Sequence, residues 1–297
     1  MARVAVLGPG GVGGFLAAAL ANAGVATTVV AREATAAAIA DRGLRLSSVR
    51  LGEIVAAPAV TARLDDDVDV LVIAVKAPAL DAGLERVTGT PGLVVPMLNG
   101  IDHVAALRAR FGLSVVAATI RVSAERAAPG VIVETGMPVL VELAADHPAP
   151  RPRLAAFVDL LRSAEVPARL GDSEAQVLWS KLVQLNAMAC TTSAYDANAG
   201  GVRDHPRRRV DLEDALTEGA AVAAADGATV DIDAMLRAIW QLDAEHTTSM
   251  QRDVTDGNEP ELDAIPRAVL RHAAARGLTC PTIERLVGMI EARLASR

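Results

Sequence analysis

At 297 residues the chain sits near the limit for a single hydrophobic core, so two domains are expected. It is 52% hydrophobic and 22% charged, with 23 Gly and 15 Pro spread throughout, which excludes disordered, collagenous and coiled-coil classes. A net charge of −7 leaves no basic surplus for nucleic acid or an acidic membrane surface, and the two cysteines, Cys190 and Cys280, form no motif, as in a cytoplasmic protein.

From Val4 to Ala31 there is no charge, but the run is interrupted by Gly8, Pro9, Gly10, Gly11, Gly13, Gly14 and Gly24. Such a glycine cluster argues against a signal peptide or a membrane span. The run divides into a β-branched strand (3–7), a glycine turn, a helix (12–23) and a second strand (26–31). The turn, Gly8-Pro9-Gly10-Gly11-Val12-Gly13, is G-x-G-x-x-G between a strand and a helix. Gly8 permits the tight turn, Gly10 admits a pyrophosphate to the backbone, and Gly13 lets the helix lie on the strand. The helix start at Gly11 and Val12 supplies free N–H groups and a positive dipole end. A dinucleotide site is therefore expected. The second strand ends in Arg32, which suits the 2′-phosphate of NADP(H); Glu33, the next residue, leaves a ribose-binding acid as the alternative.

Further strands are expected over 68–75, with Lys76 directly after, over 92–96, with Asn99-Gly100 beyond it, and over 113–120. A helix is expected over 103–111 and a strand pair over 131–143. A helix (154–164) and a short strand (167–170) close the sheet domain. Beyond Asp172 the pattern is helical: 175–189, 209–225, 232–243, 267–275 and 282–294, with Gly277 and Pro281 as stop and start signals. The expected architecture is α/β: a Rossmann-type doubly wound parallel sheet over 1–171 and an all-helical substrate domain over 172–297.

Only two of the 29 basic residues are lysine, Lys76 and Lys181. In a chain that uses arginine elsewhere, a retained ammonium marks a place where a proton donor or a compact charge is needed; chance survival is the alternative. The five histidines show no metal-ligand spacing, so no metal is expected. His246, beside Thr247, reads as a solvated helix-end histidine, with reach into the site as the alternative, and Ser249 has no activated-nucleophile motif around it, which disfavours a hydrolase.

The glycine loop, Arg32, Val75-Lys76-Ala77 and Leu98-Asn99-Gly100, followed by Trp179-Ser180-Lys181-Leu182, Thr248-Ser249-Met250-Gln251-Arg252-Asp253 and Pro260-Glu261-Leu262-Asp263, resemble the ketopantoate reductase family over nearly the whole chain. The resemblance implies a helical domain of the 6-phosphogluconate dehydrogenase type and reduction of 2-dehydropantoate to (R)-pantoate with NADPH, in pantothenate biosynthesis. It further implies Lys181 as general acid, with Glu261 holding the substrate hydroxyl and orienting Lys181. Ser249 would be on the substrate carboxylate, Asn99 where nicotinamide and substrate meet, and Lys76 beside the cofactor. Family members often carry asparagines four and eight residues after the lysine; here Leu185 and Ala189 stand there, and Asn186 points elsewhere on an ideal helix. Pro266-Arg267 replaces the family's Asn-Gly, and a proline there kinks the helix or delays its start. Two alternatives stand beside this expectation: a reductase of another 2-keto acid or 2-keto lactone, and a non-catalytic NADP(H)-binding or redox-sensing protein. The expected partner is a small 2-keto acid rather than nucleic acid or membrane, and a homodimer is the base-rate assembly.

Overall fold

A computed structural model describes residues 2–136 and 138–296. The chain forms two compact units, one comprising the residues up to Leu98 with His103–Val177, the other Asn99–Asp102 and the residues from Leu178 onward.

The first unit begins with β1 (Arg3–Leu7), α1 (Gly11–Asn22) and β2 (Ala26–Val30), then α2 (Glu33–Arg42), β3 (Leu44–Ser48), β4 (Gly52–Ala56), β5 (Ala59–Thr61) and β6 (Val68–Ile73). It continues with α3 (Leu80–Leu84), β7 (Pro91–Pro96), α4 (His103–Phe111), β8 (Ala117–Arg121), β9 (Ala124–Ala128), β10 (Val131–Glu134), β11 (Leu140–Ala144), α5 (Arg151–Ser163) and β12 (Ala168–Leu170). Five strands make a parallel sheet in the order β5-β2-β1-β6-β7, with β1 in the middle. Val4, Ala5, Val6 and Leu7 are almost fully buried, which is why β1 lacks the alternation of a half-exposed strand. Leu7 pairs with both Val30 and Ile73, so the loops after β2, β1 and β6 leave the sheet side by side at its carboxyl end.

A second sheet, β4-β3-β10-β9, lies against α1, and a third joins β12, β11 and β8. Helix α1 thus has an apolar environment on both flanks, and Phe15 through Leu20 are all buried. Two expectations change. The strand expected over 113–120 is a 3₁₀ turn at Gly112–Ser114, where Gly112 has φ +59°, followed by β8. The expected strand pair over 131–143 is two strands in different sheets: β10 pairs with β3 and β9, β11 with β8 and β12. Gly136, at φ +85°, and Pro138, which has no N–H, break the run between them.

The second unit consists of α6 (Glu174–Tyr195, from Leu178 onward), α7 (Ala199–Arg203), α8 (Pro206–Ala225), α9 (Ile232–Trp240), α10 (Ser249–Asp256), α11 (Pro266–Ala275) and α12 (Pro281–Ala295). Helices α8, α11 and α12 begin with proline at their first residue, where the missing N–H costs nothing. Glu218 of α8 accepts from the amides of Thr282 and Ile283 and so caps α12. The core is aliphatic, built on Leu182, Val183, Leu212, Leu216, Val269, Ile283 and Leu286 around one large aromatic, Trp179. No helix among the described residues is long and apolar enough to cross a membrane.

Candidate active site

In the first unit the glycine turn follows β1 directly. Gly8 has φ +89°, and a Cβ there would lie 2.6 Å from Val75 Cγ1. A Cβ on Gly13 would lie 2.1 Å from the Gly8 carbonyl oxygen, so α1 approaches the strand only because both residues are glycine. Gly11 packs as tightly on the other flank, where a Cβ would lie 2.0 Å from the Ala124 oxygen of β9. Gly10 differs: nothing lies within 4 Å of the position its Cβ would take. It caps α1 without a side-chain hydrogen bond, which leaves the amides of the first turn, around Val12, without side-chain acceptors. The turn is therefore a rigid cradle with one open side, a shape and polarity that fit a pyrophosphate.

At the end of β2, Arg32 is exposed and caps α2, while Glu33 is engaged: its carboxylate accepts from Arg86 Nη1 at 3.2 Å. The Glu33 carboxyl is held below its ordinary range by its own backbone amide and then by Arg86. Lys76, exposed, precedes the 3₁₀ turn Ala77–Ala79 beyond β6.

In the second unit three of the expected residues meet. Lys181 projects from α6, half-buried, and its Nζ donates to Asn99 Oδ1 at 2.8 Å. Asn99 Nδ2 donates in turn to Glu261 Oε2 at 2.9 Å, and Glu261 is only 7% exposed. The carboxylate accepts only, so it fixes which end of the amide faces the ammonium. The two loops that supply these groups are in close contact: Gly100, at φ +84°, lies so near Ala264 that a Cβ would be 2.1 Å from that carbonyl oxygen. Pro266 delays α11, and residues 261–265 form a turn closed by the Ile265 amide on the Glu261 carbonyl at 3.0 Å.

Ser249 is not part of that cluster. It is exposed at the first position of α10, next to Thr248, whose Oγ1 lies 2.9 Å from Thr192 Oγ1 on α6. Helix α6 runs unbroken, with Leu185 half-buried and Ala189 fully buried. Asn186 is also fully buried; its Oδ1 accepts from Cys190 Sγ at 3.4 Å and its Nδ2 has no partner. His246 is half-buried rather than solvated, and burial, followed by Arg252, pushes its pKa down.

Sequence reasoning missed a charged cluster beside the Asn99 and Glu261 loops. Asp102 accepts from Arg271 Nη2 at 2.5 Å and lies 3.1 Å from His272 Nε2, while Arg271 Nη1 donates to Asp263 at 2.8 Å. The His272 hydrogen bond, then Arg271, bring the Asp102 pKa down to about 2; Asp102, then Asp226, raise that of His272. These partners are scattered between residues 102 and 272, and no spacing in the sequence announces them.

Models of two families match the chain: "Ketopantoate reductase PanE/ApbA" over residues 4–145 and "Ketopantoate reductase PanE/ApbA C terminal" over residues 175–294. A 2-dehydropantoate 2-reductase of Halobacterium salinarum is 27% identical, with 99% of each chain covered. Among solved structures, the 2-dehydropantoate 2-reductase of Geobacter metallireducens superposes with a TM-score of 0.90 at 22% identity, covering 98% of this chain and 99% of that one. A D-mandelate dehydrogenase with bound NADH and anilino(oxo)acetate superposes at 0.87 with 20% identity and 99% coverage of both chains.

Proposed function

The chain belongs to the ketopantoate reductase family and is an oxidoreductase acting on CH–OH groups, and from that premise we propose that it reduces 2-dehydropantoate to (R)-pantoate with NADPH, using Lys181 as general acid. The observation that carries this reading is the Lys181–Asn99–Glu261 chain of hydrogen bonds. NADPH, when bound, supplies the hydride. As the ketone carbon accepts it, negative charge builds on the carbonyl oxygen, and the Lys181 ammonium stabilises that charge and delivers the proton that completes the alcohol. Asn99 accepts from the Lys181 ammonium and so sets its direction. Both ends of the Asn99 amide keep a second hydrogen-bonding position for nicotinamide or substrate. Glu261 fixes Asn99 and accepts from the substrate hydroxyl. Ser249, at the positive end of α10, binds the substrate carboxylate.

The glycine turn, with Gly8, Gly10, Gly11, Val12 and Gly13, holds the cofactor pyrophosphate, and Lys76 lies beside it. Arg32 binds the 2′-phosphate, because Glu33, its rival for the ribose, is taken by Arg86.

A second substrate reading has its own observation. Leu185, one turn beyond Lys181 on the same helical face, is apolar and half-buried, so the site also suits 2-keto acids with plain aliphatic side chains. That the same fold serves a D-mandelate dehydrogenase agrees with such latitude.

The test is NADPH oxidation against a panel of branched and hydroxylated 2-keto acids. Turnover of 2-dehydropantoate, with ketoisovalerate accepted more weakly, is expected. NADP binding by calorimetry without oxidation by any member of the panel would overturn the reading in favour of a non-catalytic binding protein.

A further inference from the structure

Asn99 and Glu261 come from loops 162 residues apart, and one guanidinium holds both loops. Arg271 of α11 donates to Asp102 Oδ2 from Nη2 at 2.5 Å and from Nε at 3.1 Å. It also donates from Nη1 to Asp263 Oδ1 and from Nη2 to the Asp263 carbonyl, both at 2.8 Å. Asp102 lies three residues after Asn99, and Asp263 two residues after Glu261. His272 backs this fork: Nε2 is 3.1 Å from Asp102 Oδ1 and Nδ1 is 2.5 Å from Asp226 Oδ2 at the end of α8. Arg276 Nε holds the other Asp226 oxygen at 2.9 Å, and the Trp179 ring, two residues before Lys181, meets the imidazole edge-on at 5.5 Å.

We infer that Arg271, supported by His272, is a positioning residue for the Lys181–Asn99–Glu261 relay, setting the separation of the Asn99 and Glu261 loops and thereby the orientation of the Asn99 amide. The catalytic consequence rests on the function proposed above; the geometric one does not. An amide free to turn by half a rotation presents its NH₂ to the Lys181 ammonium, donor against donor, and only a carboxylate at hydrogen-bond distance on the far side prevents this. A displacement of about 1 Å between the loops removes that constraint, and misplacement on this scale costs up to about a hundredfold in rate. Lysine cannot replace the arginine fully, because an ammonium lacks the planar fork that serves two carboxylates at once. Exposed ion pairs add little to stability, so Arg271 can be replaced without unfolding the chain.

The experiment compares Arg271→Gln, Arg271→Lys and Asp102→Asn, each also combined with Asn99→Ala, by kcat and KM with NADPH and the best 2-keto acid. In parallel, the Asn99 side-chain ¹⁵N–¹H signal is followed, assigned by its loss in Asn99→Ala. Arg271→Gln is expected to lower kcat about tenfold with the KM for NADPH unchanged, to be partly rescued by lysine, and to have no further effect beside Asn99→Ala. It should also shift the Asn99 amide signal, whereas Glu291→Gln, which breaks only the Arg267 pair near α11, should not. Should Arg271→Gln melt early, Arg271→Lys and Asp102→Asn carry the comparison. Parental kcat with an unmoved amide signal, or an undiminished loss beside Asn99→Ala, would overturn the inference. If the parent itself turns over no 2-keto acid, the proposed function fails, while the amide signal still decides the positioning role.

Discussion

Lys181 and Asn99, 82 residues apart in sequence, are joined by a 2.8 Å hydrogen bond from the ammonium to the amide oxygen. The amide carries no charge of its own, so the bond fixes the direction of the lysine without supplying a counter-charge. Removing it by Asn99→Ala should lower kcat by at least about tenfold, as expected for a hydrogen bond to a charged group worth about 1.5–3 kcal/mol. Asn99→Asp keeps the shape but sets a carboxylate against Glu261, and should be at least as slow. Steady-state kinetics of both variants check this.

Cofactor preference should follow Arg32. Arg32→Ala should reduce the ratio of kcat/KM for NADPH over NADH by about tenfold or more, as a bidentate contact to the 2′-phosphate is lost. Glu33→Gln should leave that ratio nearly unchanged, since Glu33 already faces Arg86. If Glu33→Gln moves the ratio and Arg32→Ala does not, the assignment reverses.

Gly100→Ala should destabilise the helical unit. It combines φ +84° with a Cβ 2.1 Å from the Ala264 carbonyl oxygen, and neither can be relieved by a side-chain rotation. A cost of about 1–3 kcal/mol is expected, read as a lower urea midpoint, together with lost activity because the Asn99 and Glu261 loops are pushed apart.

How much of this was legible in the sequence depends on how local each feature is. The glycine turn, β1, β6 and β7 could be read because buried parallel strands are continuous apolar runs and the turn needs glycine within six residues. Strands β3, β4, β5 and β9 were missed: Ala-Glu-Arg-Ala-Ala in β9 is nearly all exposed and carries no burial signal, and it pairs along only one edge. Lys181 was found through the rarity of lysine, Asn99 through its place just beyond a buried parallel strand, and Glu261 through family resemblance. Their mutual hydrogen bonds, and the Asp102–His272 contact across 170 residues, are products of tertiary packing that no local pattern encodes.

Two groups in the charged cluster link it to pH with opposite signs. Asp102, depressed from 3.8 to about 2, contributes stability that is present above about pH 4 and lost as pH falls toward 2. His272, raised above 6.5, contributes stability that is complete below that value and lost as pH rises through its higher folded value. The stability difference between the parent and Asp102→Asn should therefore be largest near pH 5 and smaller at pH 9. It should be on the order of 1 kcal/mol, given the partial exposure of the pair. Urea melts at the two pH values measure it, and an equal difference at both would remove His272 from the linkage.

The most direct test of the account is the pH–rate profile of Lys181→Arg beside Lys181→Ala, with NADPH and 2-dehydropantoate. Arginine keeps the positive charge but, with a pKa above 12, is a very poor proton donor. If Lys181 delivers the proton, both variants should still bind NADPH, both should turn over at least about a hundredfold more slowly than the parent, and the alkaline limb of the parent profile should vanish in the arginine variant. An arginine variant as fast as the parent, with the alkaline limb intact, would contradict the account and remove Lys181 from the acid role.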